Sequence, residues 1–327
     1  MKTLKIALIT IMAVFTSLTL VSCGKTDIES SGCYTDVDLA FKAAQKQNKD
    51  VIIFVTVNGE DANSQSFTDT IIRDSKFKDD IASKYIALRM DFSESSYQLT
   101  VAADDANDTA KKNAEKRADI MQRNTSFANL LNLVVTPMTY IFSKEQYLIT
   151  SIYYDRTEKS YEEYTSLLKE KEEAIDSMHK MILATKTGTA EEKMKAIDEL
   201  YEATAPEARL FLANLLLTAK KLDPTDKSGL LGKLIYASAD AIAAKAINAG
   251  DIRTAANAYI AIENETSIDA EDRQQALYTA AYMLSVSETE DVSVVVDLLQ
   301  RSIAVAPDSD EVTAINRIIQ TLSSQTE

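Results

Sequence analysis

Val135-Thr136-Pro137-Met138-Thr139-Tyr140-Ile141-Phe142 is the stretch on which the fold turns. Its second half is β-branched and aromatic, as a strand requires, whereas Pro137 lacks a ladder donor and belongs at an edge or in a cis turn. Ser143-Lys144-Glu145-Gln146 then reads as a hairpin turn, and Tyr147 to Tyr153 as the returning strand. Upstream, Val51-Ile52-Ile53-Phe54-Val55-Thr56-Val57 is a continuous β-branched and aromatic run, the pattern of a strand buried on both faces, and Asn58-Gly59 ends it.

Helical periodicity fills the intervals. Val37, Ala40, Phe41 and Ala44 form one stripe between Asp36 and Asn48. Ser66 with Asp69 has the spacing of a helix N-cap, with Phe67, Ile71 and Ile72 as the apolar face. Phe77, Ile81 and Tyr85 form a further turn before Ile86, Leu88 and Met90 alternate in a strand that ends at Asp91. Residues 93–123 are polar and read as an inserted surface loop running into a helix. A long helix from about Ser160 closes the unit. Helix, strand, helix, strand is the order of a parallel α/β unit.

Taken together these residues resemble the thioredoxin superfamily over 35–172. The resemblance rests on Val51–Val57 followed by a turn and helix, on Asp74-x-x-Phe77 leading to the strand that ends in Asp91, and on Val135-Thr136-Pro137-Met138-Thr139 at the place of the family's cis-proline. Redox-active members open the helix after the first long strand with a CxxC pair, whose thiol pKa is lowered by the helix N-terminus. Here Asn58 to Ser66 fills that place without a cysteine, and Asp61 and Ser64 stand nearest the two cysteine positions. Thiol–disulfide exchange needs a thiolate, so the family's oxidoreductase chemistry is not implied and no catalytic residue is assigned. What the resemblance does imply is a groove for an extended peptide, with Asp61, Ser64, Thr136 and Pro137 as its candidate residues and β-augmentation as its mode. The plainer reading of the same residues is a helix cap and a shaped turn.

Beyond Glu173 the apolar spacing is helical throughout. Met194, Ile197, Leu200 and Tyr201 form one stripe, and Leu210, Ala213, Leu216 and Leu217 another. Ala-rich segments follow, punctuated by Gly250-Asp251, Asp269 and Pro307-Asp308. The expected architecture is therefore an α/β thioredoxin-like domain followed by an all-α helical-repeat or bundle domain over 173–327. Leu222-Asp223-Pro224 and Val305-Ala306-Pro307-Asp308 resemble the ends of tetratricopeptide-like repeats, although their separation is not a clean multiple of about 34 residues. Tyr236, Tyr259, Tyr278 and Tyr282 are candidates either for a concave binding face or for core.

The first 22 residues read as an export signal. Lys2 and Lys5 precede an apolar run from Ile6 to Leu20, and Leu20-Val21-Ser22-Cys23 resembles the lipobox of bacterial lipoproteins. The run is shorter than the roughly 20 residues of a spanning helix. Cys23 is thus the expected lipidation site, its acyl chains the membrane anchor, and 23–34 a lipidated flexible tether. The expected location is the cell envelope, facing the periplasm or the cell surface.

The remaining chemistry is sparse. With Cys23 acylated, Cys33 is the one thiol left, which excludes an internal disulfide; it reads first as a spare, inert thiol, with a mixed disulfide to another chain as the alternative role. Loss of the leader, with Lys2 and Lys5 and no acid, takes the formal charge from −15 to −17. Such a surface repels nucleic acid, so the expected partners are membrane lipid and another envelope protein. His179 is the single histidine and sits at helical spacing, and neither phosphate-loop nor dinucleotide fingerprints occur, so no metal or cofactor is expected. Asp104, Asp105 and Asp108 lack the glycine and terminal glutamate of a calcium loop. The leading expectation is a redox-inactive protein-binding or scaffold module.

Overall fold

A computed structural model describes residues 28–155, 160–287 and 291–324. The export signal and Cys23 lie outside the described residues.

The first helix, α1 (Val37–Gln47), starts where the Asp36 carboxylate accepts from Asp38 N and stops at Asn48 in the left-handed region, φ 54°. β1 (Val51–Thr56) follows and is buried along its whole length. After it come α2 (Ala62–Phe67), continued by a π-helical turn over Thr68–Ile72, the short α3 (Phe77–Asp80) and β2 (Ile86–Asp91). The polar insertion is helical: α4 (Glu94–Gln98) and α5 (Asp108–Leu130). β3 (Met138–Phe142) and β4 (Leu148–Tyr153) form the hairpin, and α6 (Tyr161–Glu170) opens with a capping box between Ser160 and Glu163.

These strands form one sheet in the order β2-β1-β3-β4. β1 runs parallel to β2 with Val51 opposite Ile86, and antiparallel to β3 with Val51 opposite Phe142. The Thr136–Pro137 bond is cis. Pro137 lies one residue before β3, a central strand, and so withdraws no donor from its ladder. The N-terminal part is therefore a mixed sheet with helices, resembling a thioredoxin-like fold, and an all-helical region follows it.

Because β1 is buried on both faces, its side chains divide by the two-residue period. Ile52 and Phe54 face Phe67, Ile71, Phe77 and Tyr164 from the α2, α3 and α6 side. Val51, Ile53 and Val55 face Phe41, Phe142 and Leu131 on the α1 and α5 side.

The segment before α1 departs from the expected tether. Tyr34 N donates to Ala87 O at 2.7 Å and Arg89 N donates to Tyr34 O at 2.9 Å, so Tyr34 bridges to the open edge of β2 and the fold begins earlier than residue 35. Ile28 bridges back to Tyr34. Cys33 is consequently 0 % exposed, inside the cluster that holds Ile52 and Phe54. The expected tether over 23–34, with Cys33 outside the fold, is corrected by this edge pairing.

The helical region comprises α7 (Glu172–Ala184), α8 (Ala190–Ala203), a 3-10 segment over Pro206–Leu212, α9 (Ala213–Leu216), α10 (Ala219–Leu222), α11 (Leu231–Asn248), α12 (Ile252–Ile260), α13 (Ala270–Val286), α14 (Val292–Val305) and α15 (Val312–Ser324). Successive helices from α11 to α15 pack on one another, and buried alanines such as Ala255, Ala256, Ala276 and Ala280 permit close approach. Starts at Leu231, Ala270 and Val312 are spaced more widely than the roughly 34 residues of a tetratricopeptide repeat.

Two clusters tie this region to the sheet. Phe211 of the 3-10 segment packs on Phe142 at 5.0 Å and 82° and on Phe127 at 6.0 Å. Tyr147 in the hairpin turn joins Met178, Ile182 and Met194. Tyr236, Tyr259 and Tyr278 are partly buried against core clusters, whereas Tyr282 is exposed.

Candidate peptide groove

The turn after β1 decides how the groove is built. Asn58 to Glu60 leave the strand, and Gly59 takes φ 85°, a left-handed value suited to glycine. Asp61 is the N-cap of α2: Oδ1 accepts from Asn63 N at 3.1 Å and Oδ2 from Ser64 N at 3.0 Å. The expected cap at Ser66 is thereby corrected, since Ser66 lies inside α2 and the observed cap, Asp61, stands five residues earlier.

Asp61 and Ser64 are spaced like the two cysteines of a CxxC pair and are in contact. Ser64 Oγ accepts from Val57 N at 3.0 Å and donates to Asp61 Oδ2 at 2.7 Å. The same Asp61 oxygen accepts from Thr136 Oγ1 at 3.1 Å. All four sequence-picked residues are thus at one place, with Thr136 and buried Pro137 facing the start of α2.

The electrostatics follow from these bonds. Partial burial works against ionisation of Asp61, but the hydrogen bonds from Ser64, Asn63 N and Thr136 outweigh it and hold the carboxyl below the usual carboxylate range. An acceptor so fully bonded is a weak proton acceptor and a good fixed anchor. Beside it Val134 is 87 % exposed and Val135 42 % exposed, so the loop entering the cis-proline offers an apolar edge to solvent.

A second polar cluster escaped the sequence reading. Asp91 closes β2 and accepts from Thr56 Oγ1 (3.1 Å), Asn58 N (3.0 Å), Arg89 (3.2 Å), Ser93 Oγ (3.1 Å) and Ser96 Oγ (3.1 Å). Arg89 also pairs with Glu29 at 3.1 Å. Asp91 therefore holds the strand ends, the turn before Asp61 and the start of α4 in one arrangement, with Glu60 accepting from Glu94 N at 2.6 Å. Strand pattern singled out Asp91 only as a boundary; its partners lie on three separate segments, and no spacing announces them.

Cys33 stands apart from this groove chemistry. Burial pushes its thiol up to about 12, with Ser31 opposing through a hydrogen bond, so thiolate is scarce near neutrality. His179 is partly exposed on α7, its Nε2 2.9 Å from Asp50 Oδ2. Burial raises the Asp50 carboxyl, against the pull of His179. Among the described residues no group of three or more His, Cys, Asp or Glu is placed to hold a metal ion, and no helix is long and apolar enough to cross a membrane.

Comparison with known proteins gives three similarities. Residues 230–327 match a family model described as "Uncharacterised protein C-terminal domain". A Treponema pallidum (strain Nichols) protein described as "Uncharacterized protein" is 27% identical over 156 residues, which is 46% of this chain and 52% of that protein. The chain thus spans about half the length of the curated relative it matches. Among solved structures, "DsbH Oxidoreductase" aligns with a TM-score of 0.31 and 14% identity over 43% of this chain and 88% of that one.

Proposed function

We propose that this protein is an exported, lipid-anchored binding module that holds an extended segment of another envelope protein beside Pro137 and performs no thiol–disulfide exchange. The observation that carries the reading is the Asp61–Ser64 hydrogen bond, 2.7 Å, at the helix opening where redox-active relatives of the fold keep cysteines, with Thr136 and Pro137 against it. A carboxylate and a hydroxyl there fix the loop geometry that shapes a groove, yet neither can attack a disulfide. Exposed Val134 and Val135 supply apolar contact next to the Thr136 backbone, the combination a strand-adding peptide uses. Cys23 supplies the anchor through its acyl chains.

The test compares the wild-type chain with Val135→Asp in crosslinked cell envelopes. A discrete crosslinked protein present with wild type and lost with Val135→Asp is the supporting result. Reduction of insulin by the purified protein, abolished by Cys33→Ala, would overturn the non-redox reading. An identical crosslinking pattern for the two chains would overturn the groove.

A further inference from the structure

A cavity of about 550 Å³ lies between α8, α11 and the start of α13, away from the groove beside Pro137. Its shape depends on Gly232. A Cβ at that position would meet the Ser267 carbonyl oxygen at 2.0 Å, so the absence of a side chain lets α11 run against the segment that leads into α13. Tyr201 and Tyr236 contribute aromatic surface to the walls. The Arg209 guanidinium lies over the Tyr201 ring at 4.2 Å, and the Tyr236 ring meets that of Tyr259 at 6.4 Å and 60°.

Charge is divided unevenly across this space. Lys233 pairs with Asp198 at 2.5 Å and with Glu202 at 2.6 Å, and Arg209 reaches Glu202 at 3.3 Å. Those two cations are therefore already matched. Asp240, Asp269 and Asp272 also line the cavity, and no ion pair to any of them is formed among the described residues. One Asp240 oxygen accepts from the Tyr259 hydroxyl at 2.9 Å. Burial raises the Asp240 carboxyl, which that single bond only partly offsets. Ser267 Oγ is shielded from solvent and has no hydrogen-bond partner.

We infer that this cavity binds an organic cation, a primary ammonium or guanidinium group carried on an aliphatic stem. Three features select that chemistry. Asp240, Asp269 and Asp272 line the cavity without counter-ions and attract positive charge. Tyr236 adds cation–π attraction, the Tyr201 ring being already covered by Arg209. Ser267 Oγ gives a neutral acceptor for an N–H donor, while Ala237 and Ile268 offer apolar contact for the stem. A bare metal ion fits poorly, because the carboxylates are not grouped closely enough to ligate one.

The experiment is calorimetric titration of the full-length chain with two probes, cadaverine as a free diamine and a capped tripeptide with a central lysine. A tripeptide with acetylated lysine is the neutral control. Saturable binding of at least one cationic probe is expected, with no binding of the control. Tighter binding of the diamine assigns a free amine as ligand, and tighter binding of the peptide assigns a protein side chain. Asp272 is exposed in the first turn of α13, so Asp272→Asn should leave the fold intact; it should weaken binding about tenfold, roughly 1.4 kcal/mol, and Asp240→Asn with Tyr236→Leu should abolish it. The inference fails if neither cation saturates up to on the order of 10 mM, or if Asp272→Asn binds as wild type does. Val135→Asp should leave this binding unchanged, so loss of the Pro137 groove and loss of this site are separable.

Discussion

The Thr136 hydroxyl donates to the Asp61 carboxylate at 3.1 Å, joining the cis-proline loop to the N-cap of α2 across 75 residues. Asp61 thereby stabilises a helix end and a loop at once. Asp61→Ala removes the cap and leaves Thr136 and Ser64 without their acceptor, and should destabilise the protein by about 1–2 kcal/mol. Urea denaturation with unchanged m-value checks it.

The same residue predicts a pH signature. Its folded pKa is depressed, so its stabilisation is complete above the unfolded carboxylate value of about 3.9 and is lost as pH falls through the lower folded value. Asp61→Asn keeps a capping side chain but cannot titrate. The difference between wild-type and Asp61→Asn urea midpoints should shrink below about pH 4; a difference that stays constant with pH would show that Asp61 makes no such contribution.

Phe211 tests the junction between sheet and helices. It packs edge-on against Phe142 at 5.0 Å and contacts Phe127. Phe211→Ala should cost about 3–5 kcal/mol and should separate the unfolding of the sheet region from that of the helical region. Two transitions in calorimetry are the expected outcome, and one unshifted transition would refute it.

Cys33 should be chemically silent in the folded protein. It is 0 % exposed, and burial pushes its thiol up to about 12. In a Cys23→Ser chain, a thiol reagent should label Cys33 slowly in buffer at pH 8 and quickly in guanidinium. Fast labelling without denaturant would mean the segment at the β2 edge opens readily.

Gly232→Ala should be destabilising although alanine is the better helix former by about 1 kcal/mol. The added methyl meets backbone oxygen of Ser267 at 2.0 Å, a contact that backbone displacement alone can relieve, with an overpacking penalty of about 1–3 kcal/mol. A fall in thermal midpoint checks the sign.

Much of the sheet was legible because strand and turn signals are local. Val51–Val57, Ile86–Asp91 and the Pro137 hairpin announce themselves by composition and period, and the missing CxxC is a plain fact of the sequence. The cap at Asp61 was harder to place, since Asp61, Ser64 and Ser66 are all competent caps and only the exit path of the chain from β1 chooses among them. The strand end at Asp91 was legible, but its hub role was not, because its partners at Thr56, Asn58, Ser93 and Ser96 converge only through folding.

By itself the sequence determined the order of elements, the two-part α/β and all-α organisation, the acidic charge, and a helix opening without thiols. Tertiary structure alone decided the fate of Cys33 and the existence of the second cavity. Small polar residues around Ser30, Ser31 and Gly32 describe a tether locally, but pairing of Tyr34 with the β2 edge satisfies backbone groups that would otherwise stay in water and carries the thiol into the core. The cavity likewise needs Gly232 and Ser267, thirty-five positions apart, to touch, a contact that no local pattern encodes because it is set by how α11 packs on the segment before α13.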